Sequence, residues 1–219
     1  MKNLNQYISE KLVLRKKSNK HTLFPKSREE LGEMILDEMI KYGNDCDLNH
    51  IDISKVSDLD YLFSEREFVR TDKNGKEIDT SMFTGDISQW NTSHVVSMVC
   101  TFGRSAFDGD ISDWDVSNVE DMQSLFNTSA FDGDISGWDV RNVKDMALMF
   151  SSSLFSGDIS NWKLDSINDM DEMFYGCWKF EQNLDKWNIP PTVRMENIFA
   201  DSLIEHKNLY PKWYTGDRR

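Results

Sequence analysis

The stretch FDGDISGWDVRNVKDMALMF, Phe131 to Phe150, decides the fold of this 219-residue chain because it recurs at a fixed interval. Shifted back by 24 residues it overlays FDGDISDWDVSNVEDMQSLF, and shifted forward by 24 it overlays FSGDISNWKLDSINDMDEMF. A constant period of this length is typical of a repeat array, in which each unit packs on its neighbours. Four full repeats begin at Phe83, Phe107, Phe131 and Phe155, with a variant unit before them from Leu48 and a degenerate one after them from Phe180.

The spacing of apolar residues inside one repeat predicts two short elements. Trp114 and Val116 alternate with Asp115, which indicates a strand with the tryptophan inward and the aspartate outward. Ser117, followed three residues later by Glu120, predicts the start of a short helix. We therefore predict an α/β chain, a leucine-rich-repeat-type solenoid with short parallel strands, short helices and a helical N-terminal cap.

These patterns divide the chain into four predicted parts. Residues 1–22 form a basic arm with a short amphipathic helix, 23–47 an N-terminal capping helix, 48–199 six leucine-rich-like repeats, and 200–219 a C-terminal cap and tail. Ser27 with Glu30 marks the start of the capping helix, and Gly43 marks its end. A longer link at 64–82 contains Asn74-Gly75, the pair typical of a two-residue hairpin turn. This hairpin insertion either contacts a ligand or supports the cap.

Charge is distributed unevenly. The net charge is −13, yet residues 1–26 hold seven Lys/Arg and one acid, which leaves −19 for the remaining chain. An acidic body repels phosphate backbones, so we expect it to bind no nucleic acid. The basic arm is either solvated or lies against the acidic body.

Several classes of protein and site are disfavoured. The sequence has no apolar run of 18 residues and no secretory signal, which predicts no membrane span and a cytoplasmic location, with a phage virion as the alternative. Three cysteines without a CxxC pair predict reduced thiols. Because no catalytic motif occurs and the four histidines are scattered, we expect no enzyme activity.

Aspartates recur in two rows along the repeats. In the first row each residue either accepts a hydrogen bond from its own turn or shares a Ca²⁺ between layers, the one cofactor we consider. Its members are Asp86, Asp110, Asp134 and Asp158. The second row, Asp121, Asp145 and Asp169, is expected in the first turn of the short helices.

Outward positions of the predicted strands are the candidates for recognition, since they vary while the inward positions do not. The tryptophans beside them favour a buried core column over a carbohydrate platform. The candidate binding residues are Asp52, Gln89, Asn91, Asp113, Asp115, Asp139, Arg141, Asn161 and Lys163, together with Asn74 and Gly75 of the hairpin.

The stretch from Phe131 to Phe150 resembles the repeat of the BspA-like leucine-rich repeat family, and the resemblance runs from Leu48 to Phe199. It implies a leucine-rich solenoid with a non-catalytic binding role in bacteria or their phages. The expected function is therefore a protein–protein interaction module whose partner is another protein. A structural or assembly component of a phage particle and a bacterial surface adhesin are the alternatives, and the oligomeric state stays open.

Overall fold

The computed structural model describes residues 21–217, so the helix predicted in the basic arm lies outside the described residues. Regular elements are few in this range: helix α1 (Arg28–Tyr42), strands β1 (Val69–Thr71) and β2 (Glu77–Asp79), one turn of 3-10 helix (Thr80–Met82) and helix α2 (Leu203–His206). None of these helices has the length and apolar character needed to cross a membrane. Most of the repeat array lies between Met82 and Leu203 and consists of turns and isolated backbone bridges.

Helix α1 begins and ends at residues that satisfy its terminal backbone groups. Ser27 Oγ accepts a hydrogen bond from Glu30 N (3.3 Å), and the Glu30 carboxylate accepts one from Lys26 N (2.8 Å). Gly43 follows the helix with a φ of +98°, and its N–H donates to Met39 O (2.9 Å). The buried face of α1 belongs to the same core as the repeats and consists of Leu31, Ile35, Leu36 and Met39.

The insertion at 64–82 forms an antiparallel hairpin in which Arg70 lies opposite Ile78. Asp72 N donates to Lys76 O (2.8 Å), so three residues form the turn instead of the predicted two. Gly75 takes the left-handed position of this turn, with a φ of +80°. The extra residue is the usual bulge of a three-residue hairpin loop that ends on glycine.

The hairpin braces α1. Arg70 forms ion pairs with Glu33 and Asp37 on the outer face of the helix. Gly32 of α1 packs on the Phe68 ring, and a Cβ there would lie 2.4 Å from Phe68 Cε1. Through these contacts the insertion directly supports the N-terminal cap.

Neighbouring repeats pair through parallel backbone bridges. One series of bridges runs from Asp58 through Ser97, Asp121, Asp145 and Asp169 to Arg194. After each bridge, the N–H of every second residue donates to a backbone C=O of the next repeat. Met98 N to Asp121 O (2.9 Å) begins one such series, and Cys100 N to Gln123 O (2.8 Å) continues it. Each repeat is thus hydrogen-bonded to the one before it and the one after it.

The local elements predicted inside a repeat differ from those observed. A strand was predicted at Trp114 to Val116, but these residues join two tight turns, closed by Trp114 N to Ile111 O (3.1 Å) and Val119 N to Val116 O (3.0 Å). The predicted helix after Ser117 is absent, because the N–H of Ser124 donates to Ala147 O of the next repeat (2.8 Å). Ser124 also has a φ of +57°, which a right-handed helix excludes. The class of leucine-rich-repeat-type solenoid stays a prediction.

Aromatic columns fill the interior. Phe131 stacks between Phe107 and Phe155, with ring centroids 6.4 Å from each. Trp138 is 4% exposed, and its indole N–H donates to Ile111 O of the preceding repeat (3.1 Å). The same indole bond recurs one repeat earlier and one repeat later. The tryptophans of this column are therefore core residues with a satisfied N–H, and the column forms no exposed sugar platform; its buried members are Trp90, Trp114, Trp138, Trp162 and Trp187. Trp178 lies outside the column and is 54% exposed.

The C-terminal segment continues these columns and ends them. Trp213 stacks on Trp187 (6.2 Å between centroids), and its indole N–H donates to Leu184 O (2.8 Å). Tyr214 packs edge-on against Phe199 (5.3 Å). The last repeat is thereby covered by aromatic side chains from residues 210–214.

Candidate functional site

Two columns of polar residues run beside the buried tryptophans, and we call them the turn columns. The first contains Gln89, Asp113, Gly137, Asn161 and Lys186, and the second contains Asp52, Asn91, Asp115, Asp139, Lys163 and Asn188. All predicted binding residues in them are exposed or partly exposed. The first column lies in turns and the second lies directly before the next turn, so the strand surface expected at this place does not form.

Side chains in the second turn column hold their own turns. Asp115 Oδ1 accepts from Ser117 N (3.0 Å), and Asn91 Oδ1 accepts from Ser93 N (3.2 Å) and Ser93 Oγ (2.7 Å). Asp52 Oδ1 accepts from Ser54 N (2.9 Å) in the same way. The hydrogen bonds from Ser117 lower the pKa of Asp115. These residues shape the backbone, which leaves them less available to a partner.

Arg141 is engaged inside the same turn as Asp139. Its Nε and Nη2 lie 2.8 and 2.6 Å from the two oxygens of the Asp139 carboxylate. This ion pair lowers the pKa of Asp139. Both predicted binding residues thus face each other, and a partner would have to break an exposed pair to use either one.

The aspartate row considered for Ca²⁺ makes turn bonds of the same type. Asp110 Oδ1 accepts from Ser112 N (3.0 Å) and Ser112 Oγ (2.7 Å), and Asp134 and Asp158 accept from the amides two residues on (2.9 Å each). Asp86 makes the same bonds to Ser88 and lines a shallow depression of about 420 Å³ with Asp45 and Asp110. Residues 21–217 contain no group of three His, Cys, Asp or Glu side chains arranged to hold a metal ion.

The hairpin tip lies apart from these aspartate turns in sequence and is fixed by one carboxylate. Asp72 Oδ1 accepts from Asn74 N (2.8 Å) and Lys76 N (2.9 Å), and these bonds lower the pKa of Asp72. Asn74 and Gly75 are exposed. The tip is therefore a formed and accessible turn on the hairpin that braces α1.

A third surface, which the sequence patterns had assigned to helices, lies along the parallel bridges. We call it the ladder face: the exposed and partly exposed side chains of residues 121–128 and of the equivalent segments 58–65, 97–104, 145–152, 169–176 and 194–201. Its backbone is fixed by the inter-repeat hydrogen bonds. Its side chains differ from repeat to repeat, from Tyr61 near one end through Leu148 to Glu172 near the other.

One column of the ladder face holds side chains at backbone positions that favour glycine. The residues are Tyr61, Cys100, Ser124, Leu148, Glu172 and Asn197, with φ between +53° and +60°. The left-handed conformation costs a residue with a Cβ roughly 1–2 kcal/mol. Side chains held in such conformations concentrate at functional sites.

Half-buried carboxylates line the bridge column of the same face. Asp121, Asp145 and Asp169 occupy consecutive repeats, and each accepts a hydrogen bond from the amide two residues on (2.8–2.9 Å). Arg194 ends the column with an ion pair to Asp169 (2.8 Å). Burial raises the pKa of Asp145, and the neighbouring charges of Asp169 and Asp121 raise it further.

Asp145→Asn is expected to stabilise the protein at pH 7. Because the pKa of Asp145 is raised, its ionisation costs stability as pH rises through that value, and asparagine removes the charge while keeping the acceptor for Ala147 N. We expect the melting temperature to rise by roughly 1–2 °C, a modest figure because the carboxylate is partly solvated. Thermal unfolding followed by circular dichroism measures it.

Asp134→Asn in the same repeat is the matched control. Hydrogen bonds from Ser136 lower the pKa of Asp134, so its charged form stabilises the fold above the unfolded-state pKa and loses that effect as pH falls. We expect this variant to be neutral or slightly less stable at pH 7. A drop in melting temperature for Asp145→Asn would contradict the assignment of that carboxylate as destabilising.

A family model described as "Mycoplasma protein of unknown function, DUF285" matches residues 34–154 and 103–213 of the chain. The chain belongs to the DUF285 family. The DUF285 match takes in the second half of α1 and the hairpin, and it extends to Trp213, which ends the tryptophan column. No curated protein and no solved structure matches the chain.

Proposed function

We propose that this DUF285 chain is a non-catalytic protein–protein interaction module whose repeats are of the BspA-like leucine-rich type. The 24-residue period and the bridges that join each repeat to the next support the proposed solenoid. Such an array presents a long surface on a rigid backbone, which suits recognition of another macromolecule.

The ladder face carries the binding proposal. Its left-handed column keeps tyrosine, leucine and glutamate side chains where glycine would cost less, as at Tyr61, Leu148 and Glu172. A structural role explains the second turn column, whose side chains are bound to their own turns. Contacts between repeats impose the left-handed backbone of the ladder-face column, but they do not explain why its side chains vary from repeat to repeat, so a partner is proposed to contact that column.

The test compares two sets of variants as baits in an extract of cells that make the protein. The double variant Ser124→Arg with Leu148→Glu changes the centre of the ladder face, and Asp113→Lys changes the first turn column. We expect at least one protein retained by the native chain to be recovered about tenfold less, or worse, with the double variant, a loss of roughly 1.4 kcal/mol in affinity. Quantitative mass spectrometry measures the recovery.

Asp113→Lys serves as the matched control, since Asp113 is exposed and outside the ladder face. Retention by Asp113→Lys together with loss by the double variant supports the ladder face. Loss of recovery with Asp113→Lys, together with retention by the double variant, would instead assign the binding role to the turn columns. Unchanged recovery of every protein with both variants would count against a binding role for either surface, provided that circular dichroism shows both variants to be folded.

A further inference from the structure

An apolar row runs along the surface of the array, one residue before the phenylalanine that starts each full repeat. We call it the apolar stripe, and its members are Met82, Ala106, Ala130 and Leu154, followed at the equivalent places by Trp178 and Leu203. Backbone bonds hold neighbouring members side by side, as in Ala106 N to Ser81 O (2.8 Å) and Leu154 N to Ser129 O (3.2 Å). The stripe therefore crosses the repeats as one line.

Burial in the core does not explain why the stripe is apolar. Met82 is 39% exposed and Leu154 is 46% exposed. The Trp178 ring packs against His206 (4.4 Å between centroids) and still remains more exposed than either of them. In the middle repeats the positions two residues before and two residues after the stripe are polar, namely Arg104, Thr128 and Ser152 before it and Asp108, Asp132 and Ser156 after it. An exposed apolar row between polar rows is typical of a surface that another segment covers.

The spacing of the stripe suits a helix laid along the array. Ala106 and Ala130 have small side chains, and the larger Met82 and Leu154 flank them. The phenylalanine rings that follow Ala106, Ala130 and Leu154 have centroids 6.4 Å apart. Four residues of an α-helix rise by about 6 Å. A helix in this place would therefore set every fourth side chain over a successive repeat.

Carboxylates accompany the stripe along one side. They lie two or four residues after its members, at Asp86, Asp108, Asp110, Asp132, Asp134 and Asp158. The cations near the stripe include Arg104, which pairs with Glu65 (3.6 Å), and Lys179, which follows Trp178 in the sequence. Acidic groups outnumber these cations, so the border favours a segment that carries lysine and arginine.

The basic arm has the matching sequence pattern. Residues 1–20 carry six Lys/Arg and one acid, and Leu4, Ile8 and Leu12 follow one another at intervals of four residues. In the helix predicted here, Lys11 lies three residues after Ile8 and four after Tyr7, so its side chain would project beside the apolar row. Apolar spacing and charge both complement the stripe and its acidic border.

The arm is long enough to reach the stripe. The described chain starts beside the first unit, where Thr22 N donates to His50 O (2.9 Å). Ala106 lies two repeats further along the array. Residues 13–20 connect Leu12 to this point and can span up to about 28 Å when extended.

We propose that the basic arm docks on the apolar stripe of its own chain as a short helix, with Leu12 over Ala106, Ile8 over Ala130 and Leu4 beside Leu154. Its lysine and arginine side chains then lie along the acidic border. The arm thereby covers the exposed apolar row of the middle repeats.

Hydrogen exchange of the arm amides in the full chain tests this docking. A helix of residues 4–12 is marginal on its own in water, so protection of these amides reports the contact. In the native chain we expect them to exchange at least about tenfold more slowly than in a synthetic peptide of residues 1–20. Leu154→Lys places a cation under the arm and should bring exchange to within about twofold of the peptide.

Val96→Lys is the matched control. Val96 is 46% exposed, as Leu154 is, and lies outside the stripe, so this variant adds the same charge and should keep the native protection. Ile8→Lys tests the contact from the arm and leaves the array unchanged. Lysine favours a helix at least as much as isoleucine does, so loss of arm protection in this variant would reflect lost docking.

Two results would overturn the docking outright: native arm amides that exchange as fast as those of the peptide, or an equal loss of protection in Leu154→Lys and Val96→Lys. Arm protection that rises with protein concentration would also overturn it, since the contact would then belong to the arm of a second copy. Circular dichroism shows whether Leu154→Lys is folded. If it is not, Ile8→Lys decides, and native protection in that variant rejects the proposal.

Discussion

Phe126→Ala is expected to lower the free energy of unfolding by about 3–5 kcal/mol, the usual cost of removing a fully buried phenylalanine ring. Phe126 has no exposed surface. Its ring centroid lies 4.2 Å from that of Phe131 in the same layer, and 5.7 and 5.8 Å from those of Phe102 and Phe150 in the adjacent repeats. The cavity would open in the middle of the array, where the rings on both sides are themselves held by stacking.

Denaturant unfolding followed by tryptophan fluorescence and circular dichroism measures this loss. Leu154→Ala is the control, because Leu154 lies in the same array with a side chain that is 46% exposed. That substitution should change the free energy of unfolding by less than about 1 kcal/mol. A similar, small loss for both variants would show that the phenylalanine column does not hold the repeats together.

Gly85→Ala is expected to destabilise the protein by about 3 kcal/mol through a clash with the backbone. A Cβ at Gly85 would lie 1.9 Å from Cys46 O. The two segments are joined at this point by Asp86 N to Cys46 O (3.1 Å) and Thr84 N to Asn44 O (2.8 Å). Added volume must therefore push the loop after α1 away from the second repeat.

Gly137→Ala is the matched control and should have the opposite sign. No atom lies within 4 Å of a Cβ at Gly137, and its φ is outside the range that requires glycine. Alanine there restricts the unfolded chain, so we expect a gain of about 0.4–1 kcal/mol. The melting temperatures of both variants test this steric explanation. If Gly137→Ala destabilises the protein as much as Gly85→Ala does, the steric explanation is wrong.

The repeat period and the buried residues could be predicted from the sequence because burial imposes a strict pattern. Phe131, Trp138 and Phe150 recur in each of the four full repeats and are all buried. The type of local element could not be predicted. The spacing of Val119, Met122 and Phe126 fits a helix and a series of tight turns equally well, and hydrogen bonds to the next repeat decide between them.

Only part of the candidate site could be predicted from the sequence. An Asp or Asn followed two residues later by Ser, as in Asp115 and Ser117, is a local signal for turns stabilised by a side chain, and it could have identified the structural role of the second turn column. The ladder face has no such signal. Ser124 and Leu148 adopt a left-handed conformation without being glycine, because contacts between repeats impose it.

The direction of the backbone hydrogen bonds also bears on how such chains change in length. Along residues 98–104 and 122–128, the inter-repeat bonds run from N–H groups of one unit to C=O groups of the next. A duplicated unit of 24 residues would present the same donors and acceptors as the units that it separates. Gene duplication can therefore lengthen or shorten the array without a new interface, while the two ends stay unchanged.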